Sequence, residues 1–409
     1  MQYRCGPSRR SLRGLDWFVF FVADVQTGFG PFVAVYLTEH KWTQVDIGLV
    51  LSTAGMTALL GQMPGGMIVD STQSPRLLAG IAVTVIAGCA LTYAMSPIFA
   101  LVALAAIMQA AASCVLGPAM AAMSLGLVGH DGIGERLGRN ARFAALGNGF
   151  AAAAMGACGY LVSARAVFFI TAAMLIPAII VLQRISAQEI DPERARGGPR
   201  HHERTVVMGG IQMVRGVLGM LRRRALLAFA ACLMLFQFAN TAMLPLMGSV
   251  LTMRSSEWAI PMIAASIVGP QLIAALCSPH VSDLARELGR RPLLLAAFAV
   301  LPVRGILFAV VADPRILVAV QLLDGVTAAV FAVLVPLVIA DVTRGTGRFN
   351  LGQGIVGTAT GIGAMMSPTY AGYLNDRFSS ETAFLGLTAA SVCGLVLAWL
   401  MMPETRRQR

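Results

Sequence analysis

The sequence predicts an all-α membrane protein, with twelve membrane-spanning helices in two bundles of six and both termini cytoplasmic. Three observations lead there. Of the 409 residues, 57% are hydrophobic and 12% charged, with a mean hydropathy of +0.73. A water-soluble domain of this length could not hide so much apolar surface. Apolar runs of spanning length recur along the whole chain. The basic residues between those runs gather on alternate loops, as topology requires of a polytopic protein.

A spanning helix needs about 20 mostly apolar residues. Runs that satisfy this fall near 15–38, 46–69, 77–95, 97–127, 141–163, 165–184, 225–252, 258–282, 292–312, 315–340, 350–374 and 382–402. Arg4, Arg9, Arg10 and Arg13 precede the first run like a signal n-region. That run is long, contains Asp24 and lacks a small-x-small cleavage site, so it is expected to be retained. Placing the N-terminus in the cytoplasm puts 25 of the 31 Lys and Arg on the cytoplasmic side. The opposite loops hold one each: Lys41, Arg165, Arg254, Arg315 and Arg377. That asymmetry orients the chain.

The expected organisation is an N-terminal bundle over 1–184, a cytoplasmic linker over 185–224 and a C-terminal bundle over 225–409. Within the linker, Val206, Met213, Val217 and Met220 alternate with arginines, a pattern that predicts a short helix lying on the membrane surface. The halves carry traces of a repeat, as transporter folds often do. Asp70 closes the second run and Asp283 the eighth; Gly159-Tyr160-Leu161 ends the fifth and Gly372-Tyr373-Leu374 the eleventh. Gln26 and Asn240 stand at the same offset from Pro31 and Pro245.

Composition excludes several classes. The net charge of +11 lies between apolar runs without an aromatic-interleaved basic patch, so nucleic acid is not an expected partner. The seven cysteines sit mostly inside apolar runs without CxxC spacing and read as small packing residues, so neither a disulfide framework nor a metal or other cofactor is expected. An enzyme is not expected either, because the chain lacks HExxH, G-x-S-x-G and any clustered His/Asp set. A membrane sensor would be expected to carry a sizeable soluble domain, and the longest loop has about forty residues, where a fold is marginal. Lysine occurs once, at Lys41, with arginine elsewhere; with heavy Ala and Gly use, this points to a GC-rich bacterial source and an inner-membrane location.

Twelve runs as six plus six, a basic central loop and internal termini resemble the major facilitator superfamily. Its loop motif, Gly-x-x-x-Asp-Arg/Lys-x-Gly-Arg/Lys-Arg/Lys, is partly present twice. "DLARELGRRP" supplies Asp283, Gly289, Arg290 and Arg291, with Pro279 at the first Gly position; "GGMIVDSTQSPR" supplies Gly66, Asp70 and Arg76 without the basic residue after Asp. The motif places a carboxylate at a helix end, where basic side chains and a neighbouring helix N-terminus meet it in one conformational state. The resemblance implies that these residues gate the transporter. Two departures stand out: Ala106 replaces the arginine of the antiporters' Arg-x-x-Gln-Gly motif, although Gln109 is present, and "GNGFAAAAMGACGY" lacks the Gly-Pro pair of drug antiporters.

Polar residues inside apolar runs are costly and need partners or a role. At 1.5 Å per residue, Arg304 lies about 18 Å up the ninth run and Asp324 about 14 Å down the antiparallel tenth, the same level in a core of about 30 Å. They are expected to form a buried ion pair. Asp24 lies about 14 Å into the first run, with no basic residue evident at its level. Desolvation would raise its pKa, which makes it the candidate proton-coupling residue. The resemblance places the first, fourth, seventh and tenth helices around a central cavity. The candidate substrate residues are accordingly Gln26, Gln109, Gln237, Asn240, Thr241, Gln321 and Asp324, together with Gln353. The resemblance to bacterial efflux permeases implies proton-coupled export of a small organic molecule such as a drug, sugar or siderophore. An uptake symporter or facilitator, and a sensor on the same scaffold, are the alternatives. The expected partners are substrate, protons and lipid, with the protein a monomer.

Overall fold

The computed structural model describes residues 7–23, 33, 36–37, 40–95, 98–198, 217–254 and 259–402. It is helical throughout these segments: α1 (Arg9–Val22), α2 (Gln44–Ser71), α3 (Pro75–Met95), α4 (Phe99–Leu161), α5 (Ala164–Gln183), α6 (Arg224–Asn240), α7 (Met243–Arg254), α8 (Ala259–Glu287), α9 (Arg290–Val310), α10 (Pro314–Gln321), α11 (Leu323–Val342), α12 (Phe349–Arg377) and α13 (Ser380–Met401). Among the described residues, nine helical stretches are long and apolar enough to cross a membrane.

Differences from the twelve expected runs have local causes. Of the first run, 15–23 together with Val33, Tyr36 and Leu37 are described. The fourth and fifth runs join in α4, whose 63 residues would extend about 95 Å if straight, three times a bilayer core. The chain breaks at Gly129, whose φ of 71° and ψ of −176° are closed to other residues. The eleventh run forms α12, in which Asn, Gln, Thr and Gly lower the hydropathy below that of a spanning helix. The seventh and tenth runs are each divided in two, at Thr241–Ala242 and at Leu322. Of the expected linker helix, Val206 and Met213 lie outside the described residues, and Met220 is buried.

Helix starts follow side-chain capping. Ser8, Thr43, Ser163, Asp313 and Ser379 each accept a backbone N–H from the first turn of the helix that follows. Ser8 also anchors the N-terminal segment, donating through its N–H (2.9 Å) and Oγ (3.0 Å) to Glu189. Burial pushes the Glu189 carboxyl up, but hydrogen bonds from Ser8 and Ser11 outweigh it, and its pKa ends below the ordinary value. Before α2, Lys41 occupies the left-handed region with φ 61° in an exposed turn, held by the Trp42 N–H on the Leu37 carbonyl at 3.1 Å.

Contacts divide the chain into two compact units, one of residues 1–204 with 343–354 and one of residues 205–342 with 355–409. In the first, Leu15, Phe18 and Val22 of α1 pack with Val83 and Ile86 of α3, Leu116 of α4 and Leu175 of α5. Phe168 sits 5.2 Å from Tyr36 and 5.5 Å from Tyr93, centroid to centroid. The second unit is centred on Phe236, Phe298 and Phe331, with Phe236 and Phe331 4.4 Å apart. Outward faces are equally apolar, with Leu60, Leu276, Val310 and Trp399 all at least 60% exposed. Lipid, not water, is the solvent that accepts such faces.

Candidate functional site

In the second unit two polar side chains and a methionine sulfur converge on Arg304, which is 2% exposed and lies within α9. Its Nη1 donates to Oδ1 of Asp324 in the first turn of α11, and its Nη2 to Oδ1 of Asn240, the last residue of α6. The same nitrogen lies 3.5 Å from the Met243 sulfur, and the guanidinium carbon 5.9 Å from the centre of the Phe308 ring. Asp324 keeps 27% of its side chain accessible. Gln321, 1% exposed, has its Oε1 without a hydrogen-bond partner among the described residues.

Two helical hydrogen-bond ladders are locally altered beside this cluster. At Leu322 the ladder tightens: Leu322 N–H bonds Ala319 C=O at 3.1 Å and Gly325 N–H bonds Leu322 C=O at 3.0 Å. Asp324 follows directly on this tightened turn. At the other point, Thr241–Ala242, the Ala242 N–H is taken by Ser367 Oγ at 3.0 Å, satisfying a donor that hydrocarbon would leave stranded. The backbone keeps right-handed helical angles at both points, φ −62° and ψ −37° at Thr241 and φ −59° and ψ −25° at Leu322, so each run continues as one span with a locally altered hydrogen-bond ladder. Pro245, four residues after Thr241, has no N–H to return to the Thr241 carbonyl and is the sequence's signal for the discontinuity at Thr241–Ala242; no proline marks the one at Leu322.

The loop residues behave differently in the two units. Asp70, 3% exposed at the end of α2, accepts the Asn350 N–H (3.2 Å), Asn350 Nδ2 (2.8 Å) and the Leu351 N–H (2.8 Å) in the first turn of α12. It is a carboxylate seated on a helix N-terminus. One turn earlier Gly66 packs its Cα on the Asn350 carbonyl, and a Cβ there would collide with that backbone. Arg76 begins α3 and is half-buried. Asp283, by contrast, is exposed and pairs with Arg286 at 2.9 Å. Gly289, with φ 93°, turns the chain into α9. Arg290 pairs with Asp341, and Arg291 Nη2 reaches the Trp399 carbonyl at 2.7 Å.

The remaining candidates are dispersed. Gln109 is 7% exposed and accepts from the Tyr93 hydroxyl at 3.4 Å. The Gln237 carbonyl accepts the Thr241 hydroxyl at 2.8 Å, and Gln353 has a buried Nε2 without a partner among the described residues. Asp24 and Gln26 lie outside the described residues.

A second buried charge cluster has no counterpart among the sequence candidates. Asp16 in α1, 1% exposed, binds Arg136 and Arg139, the latter through Nη2 at 2.7 Å. Arg136 Nε continues to Asn140 Oδ1 at 2.8 Å, and Asn140 Nδ2 to Ser124 Oγ at 2.7 Å. Its signal in sequence was an acid at the mouth of the first run facing a triplet of loop arginines, which topology alone explained.

Comparison with known proteins gives a consistent outcome. The family model described as Major Facilitator Superfamily matches residues 17–301 and 256–409. Two proteins of Mycobacterium tuberculosis, one from strain CDC 1551 and one from strain H37Rv, each bear the name of an uncharacterized MFS-type transporter. Each is 37% identical to this chain over 410 residues, covering 97% of this chain and 94% of the relative.

Proposed function

Because the chain belongs to the major facilitator superfamily, we propose that it is a secondary active transporter exporting a small organic molecule in exchange for protons. Proteins of this family are transporters, not enzymes, and carry substrates across the membrane in which they are embedded. In the proposed cycle two six-helix bundles alternate access to a midplane cavity. The proposal includes twelve spans, cytoplasmic termini, a bacterial inner-membrane location and a working monomer.

The observation that carries this reading is the Arg304–Asp324–Asn240 cluster, set where the helical hydrogen-bond ladders of the seventh and tenth runs are locally altered, with the unsatisfied Gln321 acceptor on the tenth run. Asp324, with 27% of its side chain accessible, is the member of the cluster that can meet a substrate N–H or O–H, which favours a polar or amphipathic molecule. Gln237, Thr241, Gln109, Gln26 and Gln353 extend the proposed polar lining. Asp24 binds the coupling proton, a role supported by its depth and lack of a basic neighbour in sequence. Gly66, Asp70, Arg76, Asp283, Gly289, Arg290 and Arg291 form the proposed gates, supported by the seating of Asp70 on the first turn of α12.

The test is flux in proteoliposomes under an imposed proton gradient, using substrates identified by metabolite and drug profiling of overexpressing and deletion cells. Export by exchange predicts substrate movement opposite to the proton gradient and its loss in Asp24→Asn. Gradient-driven flux that survives Asp24→Asn removes the coupling role. Movement of substrate with the protons makes the protein an uptake symporter, a reading favoured by one observation, Ala106 in place of the antiporter arginine.

A further inference from the structure

On the first unit α3 and α5 enclose a groove of about 610 Å³. Its lining includes Ser74, Arg76 and Gln183 at one end and Gly80, Thr84 and Ile179 further along. The long axis has a useful length. Val85, the furthest lining residue on α3, stands nine residues beyond Arg76, about 14 Å along the helix. One leaflet of a hydrocarbon core of about 30 Å has nearly that depth. The polar end coincides with the start of α3 and the end of α5, where both helices leave the apolar layer. Arg184, exposed, follows Gln183 at that end. Flanking side chains are lipid-facing in character, with Leu77 64% exposed, Ile81 53% and Ile180 52%.

We propose that this groove binds one anionic glycerophospholipid from the leaflet on the side of the termini. The phosphate sits at Arg76, beside the Ser74 hydroxyl and the Gln183 amide, and an acyl chain runs past Gly80 and Thr84 toward the bilayer centre. Charge complementarity selects the occupant. A cation placed at headgroup level above an apolar trough of leaflet depth fits a molecule with an anion at one end and hydrocarbon at the other. Gly80 keeps the trough open, because a Cβ there would press on Leu182 Cδ2 at 3.3 Å. This inference rests on α3 and α5 spanning the membrane in the proposed orientation, and is independent of the transport direction and of proton coupling.

The experiment is native mass spectrometry of the full-length protein in mild detergent, titrated with phosphatidylglycerol or phosphatidylcholine of identical acyl chains. Wild type retains one phosphatidylglycerol in preference to phosphatidylcholine. One cation near an anionic headgroup contributes about 1 kcal/mol, so Arg76→Ala weakens phosphatidylglycerol about fivefold and leaves phosphatidylcholine unchanged. Thr84→Trp fills the trough from an exposed position and weakens both lipids with Arg76 intact. Glycerol phosphate without acyl chains does not compete. Equal retention of the two lipids by wild type overturns the proposal, as does phosphatidylglycerol binding that neither variant alters, or competition by glycerol phosphate at the same concentrations as lipid.

Discussion

At the scale of single residues, two buried arginines among the described residues are each surrounded by partners. Arg304 has Asp324, Asn240 and the Met243 sulfur within reach, and Arg136 has Asp16, Asn140 and the Leu12 carbonyl. Removing one partner strands the other charge, at about 3–5 kcal/mol in a buried pair. Arg304→Ala and Asp324→Ala are each expected to lower the thermal unfolding midpoint in detergent, with the double variant less damaged than the sum of the two. Strictly additive losses would show that the contact contributes no coupling. Depth counting along two antiparallel apolar runs placed Arg304 and Asp324 at one level from sequence alone. Asn240 could not be added that way, because whether an uncharged side chain of the seventh run turns toward the arginine depends on packing that depth does not reveal. Asp16 escaped notice for a related reason: a carboxylate at the edge of a run needs no partner until the fold buries it.

At the scale of helices, what was legible was length and what was hidden was continuity. Apolar runs announce a spanning element by the thickness of the bilayer, so α2, α3, α5, α8, α9 and α13 lie close to the expected boundaries. The breaks at Leu322 and Thr241–Ala242 leave no trace in hydropathy, since their freed backbone groups are satisfied locally or by a distant Ser367. Helical amphipathicity could not say which face packs inward, because lipid accepts the same residues as the core does. The junction of α2 with the first turn of α12 gives a prediction at this scale. Asp70→Ala leaves three donors without their carboxylate, and hydrogen bonds to a charged group contribute about 1.5–3 kcal/mol each. A drop in the unfolding midpoint and a changed initial rate of transport are expected; an unchanged midpoint would reduce the Asp70 seat to a surface feature. Gly66→Val, which drives a side chain into the Asn350 backbone, is expected to act in the same direction at about 1–3 kcal/mol.

At the scale of the whole molecule, membership of the superfamily was legible because topology writes itself into composition: apolar runs set by bilayer thickness, and arginines set by the side of insertion. Substrate is written in a few side chains of a cavity, where one glutamine or asparagine changes chemistry without changing the pattern. The exposed turn at Lys41 brings the topology within reach of a direct assay. Because every other basic residue is arginine, the protein offers amine-directed reagents only this lysine and its N-terminal amine. With the proposed orientation these two amines lie on opposite sides of the membrane. A membrane-impermeant amine label applied to spheroplasts should mark wild type and spare Lys41→Arg; label persisting in Lys41→Arg would place the N-terminus outside. The same scarcity gives an endoproteinase specific for lysine one scissile point between residues 1 and 409, after Lys41.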